Sequence, residues 1–513
     1  MKTNSRGVAR RWLALAALAA GISLVAAGCS SSASAGSGSG TTKLTVAETT
    51  APSTLDPQGS SLFGDRFAWQ LAYQCLYTTT PAGKVVPELA TSYTLSQDRL
   101  TYTFKLRSGV KFHNGDSLTS ADVVATFQRL AGSKLGIQGE LFPTLKNATA
   151  SSPSTVDFHL TSPDAGFIDN MANPLVWGCA IMDKSTAKLP ATALNMNGTG
   201  PWKQTMYRPN SQLAFSQYSG YWGTKTASKA LDIVYMPSSQ SQVNSLQSGK
   251  VDLIFPGEPG AKSLATTKGV TVKQVGSDST IFLQINNLSK PFDNQKVRQA
   301  LALAFDRQKL ADQAYHGAAR PSVYVPPEIS WAVPIAQLPY SQPDVAKAKA
   351  LLAEAGYPNG FTTSLMYINA YDPGTNDLVA AMQTQLAAIG ITVTLQPLQA
   401  TAWNDKLLNA NYTLSWNAQS YYSNPFQYIQ PAPGRQGPVP ASLQKLLDAA
   451  LNAGSQTEYE AALQAVENEE ATLVYPTVTL LASNSFVAYN TQLTGVAASS
   501  SGSREFLAQV AHK

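Results

Sequence analysis

Cysteine and charge are both scarce in this chain of 513 residues. Three cysteines are too few for a disulfide-rich scaffold, whose small domains are held by bridges in place of a core. Charged residues make up 13% of the chain, about half of the usual share, which excludes a long acidic or basic disordered tail. Because 44% of the residues are hydrophobic, the chain can bury a large core, and its length predicts about three domains or lobes.

Motifs for catalysis and metal binding are lacking as well. No phosphate-binding loop and no dinucleotide-binding glycine pattern follows a predicted strand. The G-x-S-x-G match at residues 36–40 lies in a Ser/Gly-rich stretch that cannot form the strand-to-helix elbow of a nucleophile. The histidines show no metal-ligand spacing; they are His113, His159, His316 and His512. We therefore predict a protein that is not an enzyme and binds no metal or cofactor, with a secreted hydrolase as the remote alternative.

The positive net charge of +5 comes from the N-terminus. Four basic residues form the start of the chain, namely Lys2, Arg6, Arg10 and Arg11, and no acid occurs before Glu48. Without them, 33 basic side chains remain against 32 acids, so the rest of the chain is close to neutral. The charge balance therefore predicts no nucleic-acid partner.

An apolar run of 16 residues, 12–27, follows this basic start. It is shorter than the roughly 20 residues of a membrane span, and the pattern is typical of a secretory signal peptide, predicted at 1–28. The run ends in AAGC, residues 26–29, which resembles the lipobox of bacterial lipoproteins, where the cysteine is lipidated. We predict lipidation of Cys29, a flexible Ser/Gly-rich tether at 29–43 and a lipid-anchored location on the outer face of the cytoplasmic membrane. The alternative is ordinary cleavage nearby, with Cys29 incidental.

Two further cysteines remain, Cys75 and Cys179. Export places them in an oxidising compartment, so we interpret them as a candidate disulfide rather than as metal ligands. Their separation of 104 positions says nothing about their distance, and two buried free thiols are the alternative.

A strand, a turn and a helix are predicted between residues 102 and 130. Apolar and polar residues alternate from Tyr102 to Arg107, as they do in a half-buried strand. A helix is predicted from Thr119, with Asp122 as the acid of a capping box and apolar side chains on one helical face. In physical terms, the segment is a strand followed by a helix that faces the core.

The same stretch carries a family resemblance. The run YTFKLRSGVKFHNGDSLTSADVVATFQRL, residues 102–130, resembles the signature segment of the family 5 extracellular solute-binding proteins, the peptide, dipeptide and nickel receptors of ABC importers. Further blocks occur in the family's order at residues 54–57, 198–202, 221–222, 249–252, 291–301, 306–307 and 346–357. One such block alone carries little weight, whereas this ordered series extends over nearly the whole chain beyond the tether.

The resemblance implies an α/β fold of the two-lobe periplasmic-binding-protein type II (Venus-flytrap) class. Its mixed sheets are flanked by helices, and lobe I contains an extra subdomain. Alternation of predicted helices and strands on both sides of the middle of the chain agrees with two α/β lobes. The implied boundaries are lobe I at 44–278, with an inserted subdomain at about 70–190, lobe II at 279–480, and a return to lobe I at 481–513.

In the peptide receptors of this family, a segment with a Trp followed by acids faces the ligand. The similar run here, residues 414–425, keeps Trp416 but contains no acid. Its amides cannot neutralise a buried ammonium group, so a ligand that bears hydroxyls or amides would suit them better. The candidate ligand-binding residues are Trp416, Asn417, Gln419, Tyr421, Tyr422 and Asn424 in this run, and Gln284, Asn286 and Asn287 just after the implied hinge. The alternatives are a polar surface turn for the first group and ordinary strand-edge polarity for the second.

These observations lead to one functional prediction. The protein is expected to be a monomeric substrate-binding lipoprotein of an ABC importer, which captures a solute between two hinged lobes and delivers it to the membrane permease. An oligopeptide or dipeptide is the default solute by family resemblance. The alternatives are an oligosaccharide or other polar metabolite in the same fold, or a receptor that senses or scavenges without an importer of its own.

Overall fold

The structure is a computed structural model, and it describes most of the chain after residue 42. The described ranges are 43–59, 63–80, 84–132, 142–172, 179–189, 195–322, 324–325, 331–369, 374–420, 437–497 and 503–513. The chain divides into two compact units, residues 1–39 and 40–513, and the described residues all belong to the second. The predicted signal peptide, Cys29 and the tether up to residue 42 therefore lie outside the described residues. None of the helices in these ranges combines the length and the apolar character that a membrane span requires.

Among the described residues of the first half of the chain, strands outnumber helices. In chain order its elements are β1 Lys43–Glu48, α1 Phe63–Ala72, β2 Tyr77–Thr79, β3 Val85–Pro87, β4 Ala90–Leu95, β5 Thr101–Leu106, α2 Ser120–Ala131, β6 Leu145–Ser152, β7 Thr155–Leu160, α3 Phe167–Met171, β8 Trp202–Arg208, β9 Gln212–Gln217, β10 Ala230–Tyr235, α4 Ser239–Gln247, β11 Leu253–Ile254 and α5 Glu258–Leu264. A short 3-10 helix, Thr186–Lys188, follows α3.

The second half contains longer strands and more helices. Its elements are β12 Val270–Ile285, α6 Gln295–Ala304, α7 Arg307–Tyr315, β13 Ala319–Pro321, α8 Val345–Glu354, β14 Phe361–Ile368, α9 Thr375–Ala387, β15 Ile391–Leu398, α10 Ala400–Leu408, β16 Leu414–Ser420, α11 Ala441–Leu451, α12 Gln456–Leu473, β17 Thr477–Asn490, β18 Leu493–Thr494 and β19 Ala511–His512. The described residues of this half also form two 3-10 helices, Ile335–Gln337 and Glu505–Gln509.

Strand β5 and helix α2 confirm the strand and helix predicted for residues 102–130. The alternation in β5 buries Tyr102, Phe104 and Leu106 on one side of the strand. At the start of α2, the carboxylate of Asp122 accepts a hydrogen bond from the backbone N–H of Thr119 at 2.8 Å, as expected for a capping box. The turn and cap residues of the sequence therefore fix where this helix begins.

One large sheet runs through the molecule. Its strand order is β15-β14-β16-β12-β17-β11-β1-β10-β9-β8, and β13 pairs with β17 beside this path. At one end β1 is parallel to β10 and β11, and at the other end β14 is parallel to β15 and β16. The long antiparallel pair β12 and β17 joins the two ends of the sheet.

The pairing of β12 with β17 changes register in the middle. Gly276 pairs with Asn484 and Thr280 pairs with Ala482, so β12 has two more residues than β17 across this interval. Such an interruption bends the strands and increases their twist. We call this place the crossing, because both long strands pass here from one part of the sheet to the other.

Two separate hydrophobic cores lie on either side of the crossing. The first is built from buried residues between Leu44 and Leu253 and again between Val487 and Val510, and the second from residues between Ile281 and Leu481. We call the regions around these cores lobe I and lobe II. The residue boundaries predicted from the sequence stay predictions.

Lobe I also contains a small antiparallel sheet. Its strand order is β4-β5-β7-β6, and α2 packs against it through Phe127, whose ring meets that of Phe158 edge-on at a centroid distance of 4.8 Å. The loop after β1 is tied to α2, because Arg129 donates to the carboxylate of Asp56 at 3.0 Å. Asp56 belongs to the block at 54–57 that the sequence singled out, and its role here is structural.

Two buried arginines hold the helices of lobe II against the start of β17. Arg298 donates to the carbonyl oxygens of Val474 and Phe292 at 3.0 Å each, and Arg307 donates to that of Thr479 at 3.0 Å. Burial lowers the pKa of Arg307 to about 10, so the guanidinium stays charged at neutral pH. These side chains account for the arginines of the blocks at 291–301 and 306–307.

Helices α11 and α12 form a hairpin with a core of its own. Its buried residues include Leu443, Leu463 and Tyr475, together with Val325 and Trp331 from the chain before α8. On α12, the carboxylate of Glu467 accepts backbone hydrogen bonds from Val325 N at 3.0 Å and from Val333 N at 2.9 Å. The hairpin is thereby attached to lobe II.

Candidate functional site

The carboxyl ends of the parallel strands point towards the crossing from both lobes. In lobe I, β11 ends where Ile254 pairs with Ala488, four residues along β17 from Asn484 at the register change. In lobe II, β16 ends where Ser420 pairs with Ser279, inside the interval of the register change on β12. Ligands of open α/β sheets bind outside the carboxyl ends of the strands. The candidate site is therefore the space at the crossing, between the strand ends of the two lobes.

On the lobe I side, an ion pair stands at the end of β1. Nε of Arg504 lies 2.6 Å from Oε1 of Glu48, and both side chains are less than one-tenth exposed. The guanidinium carbon lies 3.9 Å from the ring centroid of Phe67 and 3.3 Å from that of Phe255. A neighbouring cavity, bounded also by Tyr235, measures about 10 Å³, which is room for one water molecule. The pair is desolvated and mutually neutralised, so Glu48 does not offer an open negative charge to a solute.

Sequence reasoning did not find this ion pair. Arg504 and Glu48 are 456 positions apart, and no local pattern connects them. The only signal in the sequence is that an acid directly follows the strand-like run at 44–47.

On the lobe II side, Trp416 is part of the core. Its side chain is 1% exposed and belongs to the same hydrophobic cluster as Leu414 and Leu283. The alternation of β16 puts residues 414 and 416 on one face, towards this core. The side chain of Trp416 therefore faces the core of lobe II and does not line an open surface.

Asn417 and Gln284 are brought together on the opposite face. Nδ2 of Asn417 donates to Oε1 of Gln284 at 2.9 Å, and Nε2 of Gln284 donates to the hydroxyl of Tyr412 at 3.0 Å. Gln284 pairs with Thr477 at the far end of the β12–β17 ladder from the crossing. The side-chain amides of Asn417 and Gln284 already form hydrogen bonds within lobe II, so they have fewer donors and acceptors left for a solute.

Asn286 and Asn287 lie beyond the end of β12. Nδ2 of Asn286 donates to the carbonyl oxygens of Ala410 and Tyr412 at 3.0 and 2.8 Å, and its Oδ1 accepts from Leu288 N at 3.0 Å. Asn286 thus fixes the turn before β16. The amide of Asn287 is buried and has no hydrogen-bond partner among the described residues.

The other predicted residues of the 414–425 run are only partly described. The backbone of Gln419 pairs with that of Thr280. The side chain of Gln419, and the whole of Tyr421, Tyr422 and Asn424, lie outside the described residues. Their part in ligand binding stays a prediction.

The structure joins Cys75 and Cys179 in a disulfide. Their Cα atoms are 5.1 Å apart, and both residues are buried in the core of lobe I. The bridge ties the chain after α1 to the segment before the 3-10 helix at 186–188.

A polar network lies beside this disulfide. Nε2 of Gln74 donates to Oε1 of Glu88 at 2.7 Å, and Oε1 of Gln74 accepts from the indole of Trp222 at 3.0 Å. Burial raises the pKa of Glu505 to about 7, and burial together with the nearby Glu505 raises the pKa of Glu88 well above its usual range.

No group of three His, Cys, Asp or Glu side chains in the described ranges could hold a metal ion.

Comparisons with known proteins agree with this architecture. Residues 84–437 match the model of the bacterial extracellular solute-binding proteins, family 5 middle. The glutathione-binding proteins GsiB of Salmonella typhi and of Escherichia coli strain K12 are 31% and 30% identical to this chain over 392 residues. Each match covers 74% of this chain and 73% of the relative.

Solved structures resemble the chain over 92% of its length. HbpA2 from Haemophilus parasuis superposes with a TM-score of 0.79 at 23% identity, with all of its own chain covered. The binding protein AgaA of Agrobacterium tumefaciens R10, in complex with agropinic acid, gives 0.75 at 25% identity with 99% covered. DppA from Helicobacter pylori, in complex with the peptide STSA, gives 0.75 at 22% identity with 98% covered. These similarities confirm the predicted fold class, a two-lobe type II fold with mixed sheets flanked by helices.

Proposed function

The chain belongs to the family 5 bacterial extracellular solute-binding proteins, and from this premise we propose that it captures a small peptide-like solute between its lobes for an ABC permease. The observation that carries this proposal is the convergence of strand ends from both lobes at the crossing. A solute held there contacts both lobes at once, so its binding favours the closed arrangement over the open one.

A small peptide with the size of glutathione is the first ligand to test. The relatives at 30–31% identity are named for glutathione, and they match this chain over about three-quarters of its length. In this reading the protein is a receptor that releases its ligand unchanged.

A second candidate is a polar solute without a free ammonium group, such as an oligosaccharide or another polar metabolite. Two features favour it: the carboxylate of Glu48 is already neutralised by Arg504, and the run at 414–425 contains no acid. A buried ammonium without a counter-charge would lose several kcal/mol. The AgaA complex with agropinic acid supports a ligand range beyond standard peptides.

We also propose that the protein is exported and anchored by a lipid on Cys29, and that it acts as a monomer. The basic N-terminus, the apolar run and the AAGC sequence support this proposal. The test is metabolic labelling with a radioactive fatty acid in the native host. Labelled wild-type protein and unlabelled Cys29→Ala protein are expected, and equal labelling of both would contradict the anchor.

The ligand class can be tested on the exported chain with Cys29→Ser, which prevents acylation. Its thermal unfolding is measured with glutathione, with di- to hexapeptides, with the same peptides acetylated at the N-terminus, and with oligosaccharides. A ligand at one hundred times its Kd stabilises the native state by about 2.7 kcal/mol. Mass spectrometry of the recovered ligand tests for turnover.

The results separate the candidates. Stabilisation by free peptides that acetylation abolishes supports the peptide-like solute. Stabilisation by acetylated peptides or sugars, with free peptides inactive, replaces it by the second candidate. Chemical conversion of any ligand would overturn the assignment as a binding protein.

A further inference from the structure

An arginine of lobe I reaches the end of a lobe II helix. Arg99 lies in the turn between β4 and β5, and its Nη1 donates to the carbonyl oxygen of Asn452 at 2.5 Å. Its Nη2 donates to the carbonyl oxygen of Ala453, and the backbone N–H of Ala165 donates to that of Leu451 at 3.1 Å. Helix α11 ends at Leu451, so three consecutive carbonyls at its C-terminus accept hydrogen bonds from the small sheet region of lobe I.

This contact has a clear electrostatic basis. The last carbonyls of a helix have no partner within the helix, and the helix dipole makes this end negative. A guanidinium presents several donors in a fixed fork and can satisfy two such carbonyls at once. Lysine and arginine side chains near a helix C-terminus are therefore favourable partners.

The turn that carries Arg99 is itself well held. The backbone of Arg99 is left-handed, with φ of 61°, and its N–H donates to the carbonyl oxygen of Ser96 at 2.9 Å. Oγ of Ser96 donates to Oδ1 of Asp98 at 2.6 Å. A non-glycine residue seldom adopts this conformation, so the surrounding bonds fix the position from which the side chain extends.

A second cation makes a similar contact close to the crossing. Nζ of Lys262, on α5 of lobe I, donates at 3.2 Å to the carbonyl oxygen of His316, the residue that caps the C-terminus of α7 in lobe II. Two residues later, the carbonyl oxygen of Ala318 accepts from the backbone of Asn484, at the register change. Because β12 and β17 connect the two lobes covalently at the crossing, the distance between Lys262 and His316 changes little when the lobes rotate.

We propose that Arg99, with the carbonyls of Asn452 and Ala453, forms a closing latch between the small sheet region of lobe I and the α11–α12 hairpin of lobe II. The latch residues are joined to the crossing only through their own lobes, so opening of the lobes breaks their hydrogen bonds. The latch therefore stabilises the closed arrangement and has no partner in the open one. Its effect on ligand affinity rests on the proposed function, whereas its effect on the separation of the lobes does not.

The first experiment needs no ligand. Spin labels are attached to cysteines introduced by Leu189→Cys in lobe I and Leu408→Cys in lobe II, at positions that are 44% and 54% exposed. The parent is the Cys29→Ser chain, whose other native cysteines, Cys75 and Cys179, are occupied by their disulfide. Distance distributions are measured by double electron–electron resonance. We expect Arg99→Ala to lengthen and broaden the distribution, and the matched control Lys262→Ala to leave it as in the parent. Identical distributions for the parent and Arg99→Ala would overturn the latch.

The second experiment measures affinity for the ligand that the thermal-shift test identifies. An apparent Kd scales with the fraction of binding-competent protein, so loss of the latch should weaken binding about tenfold through faster dissociation, with Lys262→Ala within twofold of wild type. Arg99→Lys keeps the charge but loses the fork, and an intermediate loss is expected. If Arg99→Ala proves unstable by circular dichroism, Arg99→Lys carries both tests. Failure of every solute to bind would remove the proposed function, and the distance measurement would still decide on the latch.

Discussion

Glu467 should make the stability of this protein fall as the pH rises from 5 to 8. Its side chain is fully buried on α12, and burial raises the pKa of its carboxyl to about 7, against 4.5 for the exposed group. The folded state then binds more protons than the unfolded state between these two values. A raised pKa contributes stability that is complete below pH 4.5 and is lost as the pH passes 7.

The magnitude follows from the linkage relation. With pKa values of about 7 in the folded state and 4.5 in the unfolded state, the free energy of unfolding should fall by about 2.5 kcal/mol between pH 5 and pH 8. Glu467→Gln removes this titration. The amide keeps an acceptor for either Val325 N or Val333 N but leaves the other N–H unpaired, which costs about 1–3 kcal/mol at every pH.

Urea unfolding at pH 5, 6, 7 and 8 measures this effect. The difference in unfolding free energy between Glu467→Gln and wild type should shift by about 2.5 kcal/mol in favour of the variant across this range. Glu469 lies on the same helix and is only half-buried, so Glu469→Gln is the matched control and should keep the wild-type slope. Parallel pH profiles for wild type and Glu467→Gln would refute the reasoning.

Three further changes test the cores. Arg298→Met leaves four backbone carbonyls without their donor, so it should lower the free energy of unfolding by about 3–4 kcal/mol in chemical denaturation. Arg208 is exposed, and Arg208→Met is the control that should change this free energy little. Equal effects of the two substitutions would contradict the role of Arg298. Cys75→Ser with Cys179→Ser opens a loop of 104 positions and should cost about 4–5 kcal/mol, and a thermal melt that is unchanged from wild type would contradict it. Gly360 has φ of +72°, and an added Cβ would lie 1.8 Å from the backbone carbonyl oxygen of Gly390. Gly360→Ala should therefore lower the free energy of unfolding by at least about 2 kcal/mol. A melting temperature equal to that of the wild type would argue against this close contact between the two backbones.

Local patterns were sufficient for the elements whose residues decide their own structure. Helix α8, Val345–Glu354, begins after the N-cap residue Asp344 and ends before Gly356, and both of these residues are local signals in the sequence. Strand β15, Ile391–Leu398, begins with the run ITVTL, in which β-branched and apolar residues favour a strand. In both cases the deciding residues lie within the element or next to it.

The long strand β12 illustrates what local patterns miss. Residues 276–279, Gly-Ser-Asp-Ser, favour a turn, yet β12 continues through them as one strand of 16 residues. Pairing with β17 before and after the register change, and with β16 after it, overrides the local preference. The paired residues lie 129 to 220 positions away, from Ile285 with Leu414 to Val270 with Asn490, so they cannot be seen in a short window.

The candidate site was harder to predict for the same reason. The alternation around Trp416 shows that residues 414 and 416 share a face, but not which face meets the core. Asn417 and Gln284 were both expected to line the ligand, and the structure pairs them with each other. The hydrogen-bond partner of a polar side chain depends on which strand lies beside it, and the local sequence does not show which strand that is.

The ion pair between Glu48 and Arg504 bears on the order in which the lobes can be completed. Lobe II draws its core from one continuous stretch, whereas the core of lobe I needs residues from both ends of the described chain. A chain that emerges N-terminus first therefore exposes an unfinished lobe I until its last residues arrive, while lobe II can fold as soon as its own segment is free. Truncation near Arg504 would consequently leave the early-made part of the protein unfolded and the later-made part intact.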